Sequence, residues 1–187
     1  MTNATIKLTL LLSILYLISA NAAPQYHQKL EKFTRLHFYV QDILGGPNAT
    51  VWEVTHAKGT PNSPSSFGLI RVIDNLMTAE PDYNSPKLGR CQGLVAFTDM
   101  QEMAFTWNMN FYLTGGEFKG STVCVVGRIP VAGDFAKEMP IVGGTGAFRM
   151  ARGYAFLKTY SVDHTTNSTV LEYTLNIYQA GYLNSIV

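Results

Sequence analysis

The segment Glu138–Tyr154, EMPIVGGTGAFRMARGY, carries the strongest single signal for the fold of this chain. It begins with a short apolar run, Met139–Val142, that has the composition of a strand, and three glycines follow within four residues. Glycine tolerates positive φ and the close approach of another backbone, so Gly143, Gly144 and Gly146 predict a tight corner. A second strand should begin soon after that corner.

These glycines also have to be compared with loops that bind phosphate. A phosphate-binding loop needs Lys and then Ser or Thr after its last glycine, and a dinucleotide-binding loop needs a long helix after the glycines. Ala147–Arg149 supplies neither pattern, and only Ala147–Arg152 separates the corner from the next strand. We therefore interpret the corner as structural.

Alternation of apolar and polar residues dominates the rest of the chain. Phe105–Leu113 and Leu171–Tyr178 have apolar side chains at every second position, as in a strand with one buried face. Six further segments have strand composition: Leu36–Gln41, Thr50–His56, Gly68–Ile73, Cys91–Phe97, Ser121–Val126 and Tyr154–Ser161. Since no segment shows sustained helical periodicity, we predict an all-β domain of eight antiparallel strands, either closed as a barrel or stacked as a sandwich. The apolar face of Phe105–Leu113 then lies in the core or forms an oligomer contact.

The first 22 residues have the features of a secretory signal peptide. Lys7 gives a basic start, Leu8–Ile18 is a short apolar run, and Ala20–Ala22 has the small-residue pattern of a cleavage site. The apolar run is shorter than the ~20 residues that cross a bilayer. We therefore predict a signal peptide over residues 1–22, one secreted domain over residues 23–187, and no membrane span.

The composition of the predicted mature chain excludes several classes of partner. Cleavage removes Lys7 alone among the charged residues, which leaves 13 basic and 13 acidic residues without a basic run. This balance argues against nucleic acid and anionic membranes as partners. Scattered histidines and two separated cysteines predict no metal site. Cys91 and Cys124 are either one disulfide or two free thiols.

Two acceptor sequences for N-glycosylation lie in the predicted mature chain. They begin at Asn48, beside the turn-like Gly45–Pro47, and at Asn167. Such sequences in exposed turns of a secreted protein are available to glycosyl transfer, so we expect a glycoprotein with at least one site occupied.

Short segments spread along the chain resemble the plant dirigent family and occur in the family's order. Besides the glycine-rich corner they are LHFYVQD (Leu36–Asp42), Phe67–Gly68, RVIDNL (Arg71–Leu76), GRCQG (Gly89–Gly93), GGEFKGST (Gly115–Thr122) and VGR (Val126–Arg128). The resemblance covers nearly the whole predicted mature chain. It implies an eight-stranded antiparallel β-barrel of the allene-oxide-cyclase-like type. It also implies a homo-oligomer, a dimer or trimer, in the apoplast or cell wall.

The resemblance implies a function without a cofactor. In the type activity of the family, a separate laccase or peroxidase oxidises a monolignol such as coniferyl alcohol, and the dirigent protein orients two phenoxy radicals so that an optically active lignan forms. A tenfold preference for one face needs only about 1.4 kcal/mol, which an apolar pocket with a few polar groups can supply. The chain itself has no Gly-x-Ser-x-Gly motif and no other recognisable nucleophile.

Two alternatives to this phenylpropanoid function remain open. Some dirigent proteins are enzymes that close a quinone methide after loss of water, as in pterocarpan formation from isoflavanols. The second alternative is a barrel that binds a hydrophobic ligand in defence and catalyses no reaction.

Candidate catalytic residues follow from the resemblance. Asp42 matches the aspartate of the family's His-Asp motif, and a buried carboxylic acid with a raised pKa suits proton transfer to a quinone methide. From the residues alone, an aspartate that caps the Gly45–Gly46 turn is the stronger interpretation. Lys137 stands where lignan-forming members have a pocket arginine and is the second catalytic candidate.

Four further positions are expected to contact the substrate. Gln41 replaces the histidine of the family motif, and Val95 and Phe97 stand where pinoresinol-forming members have tyrosines. Arg128 and Ile129 occupy the place of a second aspartate in those members. Because phenolic and acidic groups are thereby replaced by apolar surface, the resemblance does not imply pinoresinol as the product.

Overall fold

The computed structural model describes residues 31–133 and 135–180. The predicted signal peptide therefore lies outside the described residues and stays a prediction. Within the described part of the chain, no helix has the length and apolar character to span a membrane.

The described residues form nine strands in an antiparallel sheet. Their bounds are β1 Glu31–Ile43, β2 Val51–Thr55, β3 Ile70–Thr78, β4 Lys87–Phe97, β5 Ala104–Leu113, β6 Thr122–Pro130, β7 Lys137–Thr145, β8 Arg152–Asp163 and β9 Ser168–Ala180. Two single-turn 3₁₀ helices, Thr60–Asn62 and Gly146–Phe148, lie in the connections.

Eight of these strands close into a barrel, as predicted. The order in the sheet is β1-β9-β8-β7-β6-β5-β4-β3-β2, and a further pairing of β1 with β3 closes the ring. At this seam β3 has two partners in succession: Leu76–Thr78 pair with β1, whereas Ile70–Ile73 pair with β2. The short β2 is therefore an addition to the seam and not a separate wall strand.

All eight segments in the predicted count form strands, but Thr50–His56 becomes the added strand β2 and not a wall strand. The eighth wall strand is β7, between β6 and β8, which contains the apolar run Met139–Val142 that has strand composition but is not among those eight. Alternation identifies a strand but carries no information on its partners. Pro140 and the two glycines that follow Val142 leave β7 only a short apolar run as its strand signal.

The centre of the barrel is filled by aromatic side chains. Phe38, Phe111 and Tyr173 are at most 1% exposed. Their ring centroids are 5.0 to 5.6 Å apart, and Phe38 stacks on Tyr173. The apolar face of β5 thus belongs to the core, which settles one alternative left open by the sequence. The apolar pocket that the resemblance implies is not found in this central layer, and space for a ligand lies toward an end of the barrel.

Both cysteines are free thiols. Cys91 on β4 is buried inside the barrel, whereas Cys124 on β6 is half-exposed and lies 2.9 Å from Oδ1 of Asn110. Because β5 separates the two strands and the side chains lie on opposite faces, they do not form a disulfide here.

The glycine-rich corner is a packing device. Gly146 has φ of 59°, which favours glycine, and a Cβ atom on Gly144 would overlap the carbonyl oxygen of Thr122 and lie 2.8 Å from Cβ of Phe148. The corner therefore lets β7 approach β6 while Phe148 closes this end of the core with no exposed surface.

We expect Gly144→Ala to lower the free energy of unfolding by about 1–3 kcal/mol, because the added methyl group forces the β6–β7 backbones apart. Gly115→Ala is the matched control, since a Cβ atom there meets nothing within 4 Å. Urea unfolding of both variants checks this. Equal midpoints for the two would contradict the packing role of the corner.

Candidate functional site

The candidate site is organised around Asp42, near the end of β1. Phe38, Val40 and Asp42 alternate on the inward face of the strand, and the first two are at most 1% exposed. Nδ2 of Asn75, a fully buried residue of β3, donates a hydrogen bond of 2.7 Å to Oδ1 of Asp42. The acid thus lies at the β1–β3 seam, facing into one end of the barrel.

Asn75 is itself held in place by the start of β2. The hydroxyl group of Thr50 donates to Oδ1 of Asn75 at 2.5 Å and accepts a hydrogen bond of 3.1 Å from the backbone N–H of Ile43. These bonds fix the amide so that its NH₂ group faces Asp42. Among the described residues, no hydrogen bond joins the Asp42 carboxyl to the Gly45–Gly46 turn, so the capping interpretation finds no support.

The surroundings of Asp42 favour its neutral form. Burial raises the pKa of Asp42, and the hydrogen bond from Asn75 and the positive charge of Arg71 offset this only in part. The carboxyl group therefore keeps its proton to a higher pH than a solvated aspartate does. A protonated acid inside the mouth of a barrel can donate a proton to an oxygen atom of a ligand.

Arg71 is a functional candidate that the sequence reasoning missed. It lies on β3 opposite Val95 and is partly buried, and its guanidinium carbon is 5.6 Å from the centroid of the Phe97 ring. None of the salt bridges found among the described residues involves it. The sequence held a usable signal, since Arg71, Ile73 and Asn75 alternate, which places a cation on the apolar face of a strand.

The structure brings three of the predicted apolar site residues into the barrel. Val95, Phe97 and Ile129 are 4%, 7% and 2% exposed. Ile129 takes the inward position because its neighbour Arg128 points outward, where it contacts Asp99 at 2.6 Å and Glu102 at 2.7 Å. Val95 and Phe97 lie beside Arg71, and so border the same end of the barrel as Asp42. Their contact with a substrate stays a prediction.

Two predicted site residues engage other groups. Nζ of Lys137 donates to the carbonyl oxygen of Gly133 at 3.1 Å and lies 5.1 Å from the centroid of the Phe135 ring. Gln41, one residue before Asp42, faces outward and is 6% exposed; its amide donates to Oγ1 of Thr78 at 2.9 Å and to the carbonyl oxygen of Pro81 at 3.0 Å. The structure therefore does not join either side chain to Asp42 by a hydrogen bond.

A groove of about 520 Å³ lies at the end of β1. Its lining comprises residues 41–43, 45–48 and 165–169 together with Tyr83. These are mostly small and polar residues, so this groove differs from the apolar pocket expected from the sequence. Asn48 and Asn167, the two predicted glycosylation sites, are exposed on it, and their glycosylation stays a prediction. No cluster of metal-ligating side chains occurs among the residues described.

We expect Asp42→Asn to stabilise the fold at neutral pH. Because the pKa of Asp42 is higher in the folded state than in the unfolded chain, the free energy of unfolding falls as pH rises between these two values and stays lowered above the folded-state value. An asparagine does not ionise and still offers an oxygen acceptor to Asn75. Denaturant unfolding at pH 7 and at pH 3 checks this. The gain should be present at pH 7 and absent at pH 3, and a difference that is equal at both would contradict it.

Comparison with known proteins agrees with this architecture. Residues 33–178 match the family described as dirigent-like protein. The chain is 41% identical to dirigent protein 1 of Arabidopsis thaliana over 90% of this chain and 91% of that protein. It is 38% identical to pterocarpan synthase 1 of Glycyrrhiza echinata over 79% of each. A solved pterocarpan synthase dirigent protein superposes with a TM-score of 0.73 at 37% identity, covering 81% of this chain and 92% of that one. The chain belongs to the dirigent family.

Proposed function

We propose that this dirigent protein is a quinone-methide cyclase that closes a ring in a phenolic substrate, with Asp42 as the general acid. The observation that carries the proposal is the state of this carboxyl group. It faces into the barrel, burial raises its pKa, and its hydrogen-bond partner is the neutral amide of Asn75. An acid with a pKa shifted toward the working pH is suited to proton transfer.

The substrate has a phenol, a benzylic hydroxyl in conjugation with it, and a second phenolic hydroxyl, as in an isoflavanol. Asp42 donates its proton to the benzylic hydroxyl, which leaves as water, while the first phenol loses its proton to solvent and a quinone methide forms. The second hydroxyl then attacks the methide carbon and passes its proton to the Asp42 carboxylate. The quinone-methide oxygen regains a proton from solvent. The net change is the loss of one water molecule, and the acid is restored.

The number of acidic side chains at the site favours cyclisation of one quinone methide over the coupling of two monolignols. Radical coupling gives a bis-quinone methide, in which two carbonyl oxygens must be protonated. The position at which pinoresinol-forming members carry a second aspartate is taken by Ile129, which is buried and apolar. Asp42 is the one acid that the described residues place on the inward face at this end of the barrel, and a single acid suits a substrate with one quinone methide. The similarity to pterocarpan synthases in sequence and structure supports the same choice.

Stereoselectivity follows from the fixed position of the acid. The hydrogen bonds from Thr50 to Asn75 and from Asn75 to Asp42 hold Oδ1 of the carboxyl group against β3. A substrate held against Phe97 then meets the proton donor on one face only. A preference of about 1.4 kcal/mol for that face gives a tenfold excess of one enantiomer.

Oxidase-dependent coupling is the second candidate, favoured by the 41% identity to dirigent protein 1 over most of both chains. In this case, a laccase or peroxidase supplies phenoxy radicals from a monolignol, and Asp42 protonates the coupled product on the way to an optically active lignan. For both candidates we propose a secreted homo-oligomer, glycosylated at Asn48 or Asn167, in the apoplast.

We expect Asp42→Asn to lower kcat for cyclisation of a 2′-hydroxyisoflavanol, without any oxidase, by about 10²- to 10⁴-fold. In the unmodified protein kcat should fall as pH rises through the raised pKa of Asp42, because only the protonated form is active. Chiral chromatography of the product between pH 4 and pH 8 measures both effects. Asp74→Asn is the control, since Asp74 lies on the outer face and contacts Arg90 at 2.7 Å.

The two candidates give different outcomes in this assay. Absence of turnover by the unmodified protein would remove the cyclase proposal. An enantiomeric excess from coniferyl alcohol that appears only when oxidase and protein are combined would then establish the second candidate.

A further inference from the structure

Arg71 lies at the end of the barrel that carries Asp42, and the proposed cyclisation gives it no role so far. Arg71 is partly buried on β3, and the salt bridges among the described residues do not include it. Taking a guanidinium group partly out of water without a carboxylate partner is unfavourable unless another anion compensates its charge. A cation kept in this state beside an acid suggests a negatively charged ligand atom.

We propose that Arg71 binds the ionised phenolic oxygen of the substrate, and so restricts the site to substrates in which that hydroxyl is free and conjugated with the reacting carbon. This inference rests on the proposed cyclase function and extends it by naming the group that recognises the electron-donating end of the substrate.

The relative placement of Arg71 and Asp42 fits a site in which Arg71 binds the phenolate and Asp42 donates the proton. Arg71 lies four residues before Asn75 on the same face of β3, and Asn75 is the hydrogen-bond partner of Asp42. The charge of Arg71 lowers the pKa of Asp42, yet none of the salt bridges among the described residues joins the two groups. A quinone methide is formed by withdrawing a proton at one end of an aromatic ring and delivering one at the other end. A cation and an acid of raised pKa that lie on neighbouring strands without a salt bridge match those two ends.

The neighbours of Arg71 hold its side chain at the mouth. Its guanidinium lies over the ring of Phe97, which is 7% exposed, in a cation–π contact. The charged groups that face it across the seam are Asp42 on β1 and Glu53, its register partner on β2. Oε1 of Glu53 is 3.1 Å from Nδ1 of His56. The guanidinium thus lies over an aromatic face, and no carboxylate of the described part of the chain forms a salt bridge with its N–H groups.

The chemistry of the step explains why a cation is useful there. Loss of the benzylic hydroxyl requires an electron pair from the phenolic oxygen, which the phenolate supplies more readily than the phenol. Arg71 stabilises the phenolate by charge-assisted hydrogen bonds and lowers the free energy needed to ionise it, with the proton going to solvent. After ring closure the electron pair returns to the same oxygen, where Arg71 stabilises it again.

Binding of two matched probes tests the inference without requiring turnover. The probes are a pterocarpan that carries the free phenol and the same molecule with that oxygen methylated, titrated calorimetrically at a pH where part of the phenol is ionised. Arg71→Gln should weaken binding of the free phenol about tenfold, the size expected for one charge-assisted interaction, and leave the affinity for the methyl ether unchanged within twofold. Arg35→Gln, on the outer face of β1, is the control and should change neither affinity.

Arg71→Lys gives a second measurement that a purely structural role would not affect. It keeps the charge and should restore part of the selectivity for the free phenol. If Arg71→Gln weakens binding of both probes equally, or of neither, the inference is overturned. This holds even if the unmodified protein is a cyclase. Selective loss for the free phenol, with no turnover by the unmodified protein, would keep Arg71 as the phenolate-binding group and remove the cyclase proposal.

Discussion

The hydrogen bond between Asn75 and Asp42 is the interaction on which the candidate site depends. It joins β1 to β3 at the place where the barrel closes, and it positions a carboxyl group whose pKa is raised by burial. Thr50 extends this connection to the start of β2. Asn75 and Thr50 therefore help to close the barrel and also position the Asp42 carboxyl group. The geometry of the site thus depends on how the strands pair.

The packed centre of the barrel determines where chemistry can occur. Phe38 and Tyr173 stack across the β1–β9 pair, and Phe111 meets both rings from β5. This layer supports the end that carries Asp42. The strands that hold Asp42 and Arg71 both contribute buried side chains to this core, and the facial selectivity proposed above depends on small differences in position.

Much of the fold could be predicted from the sequence, because the alternation of apolar and polar residues and the glycine-rich turns are features of short segments. Strand pairing is not local: nothing in the composition of Thr50–His56 distinguishes an addition at the seam from a wall strand. Asp42 was found through a family motif, and its inward position agrees with its alternation with Phe38 and Val40. Gln41 and Lys137 were selected by their place in family motifs, which says nothing about the partners that occupy their polar atoms. Arg71 was overlooked because the motif that contains it was used only for recognition.

Charged groups are paired differently on the outer face of the barrel and at the end that carries Asp42. This difference is the strongest physical reason to place the function at that end. On the outer face Arg90, Arg128 and Arg152 each lie within 2.7 Å of a carboxylate oxygen, as expected for solvated surface pairs. At the mouth, Arg71 contacts an aromatic ring instead, and the pKa of Asp42 is raised and not lowered. Stability alone would favour pairing these two groups or replacing them by apolar residues. Keeping an acid and a cation on neighbouring strands without a salt bridge is unfavourable for stability, and the ligand that we propose, which would take the proton of one and the charge of the other, would provide the compensation.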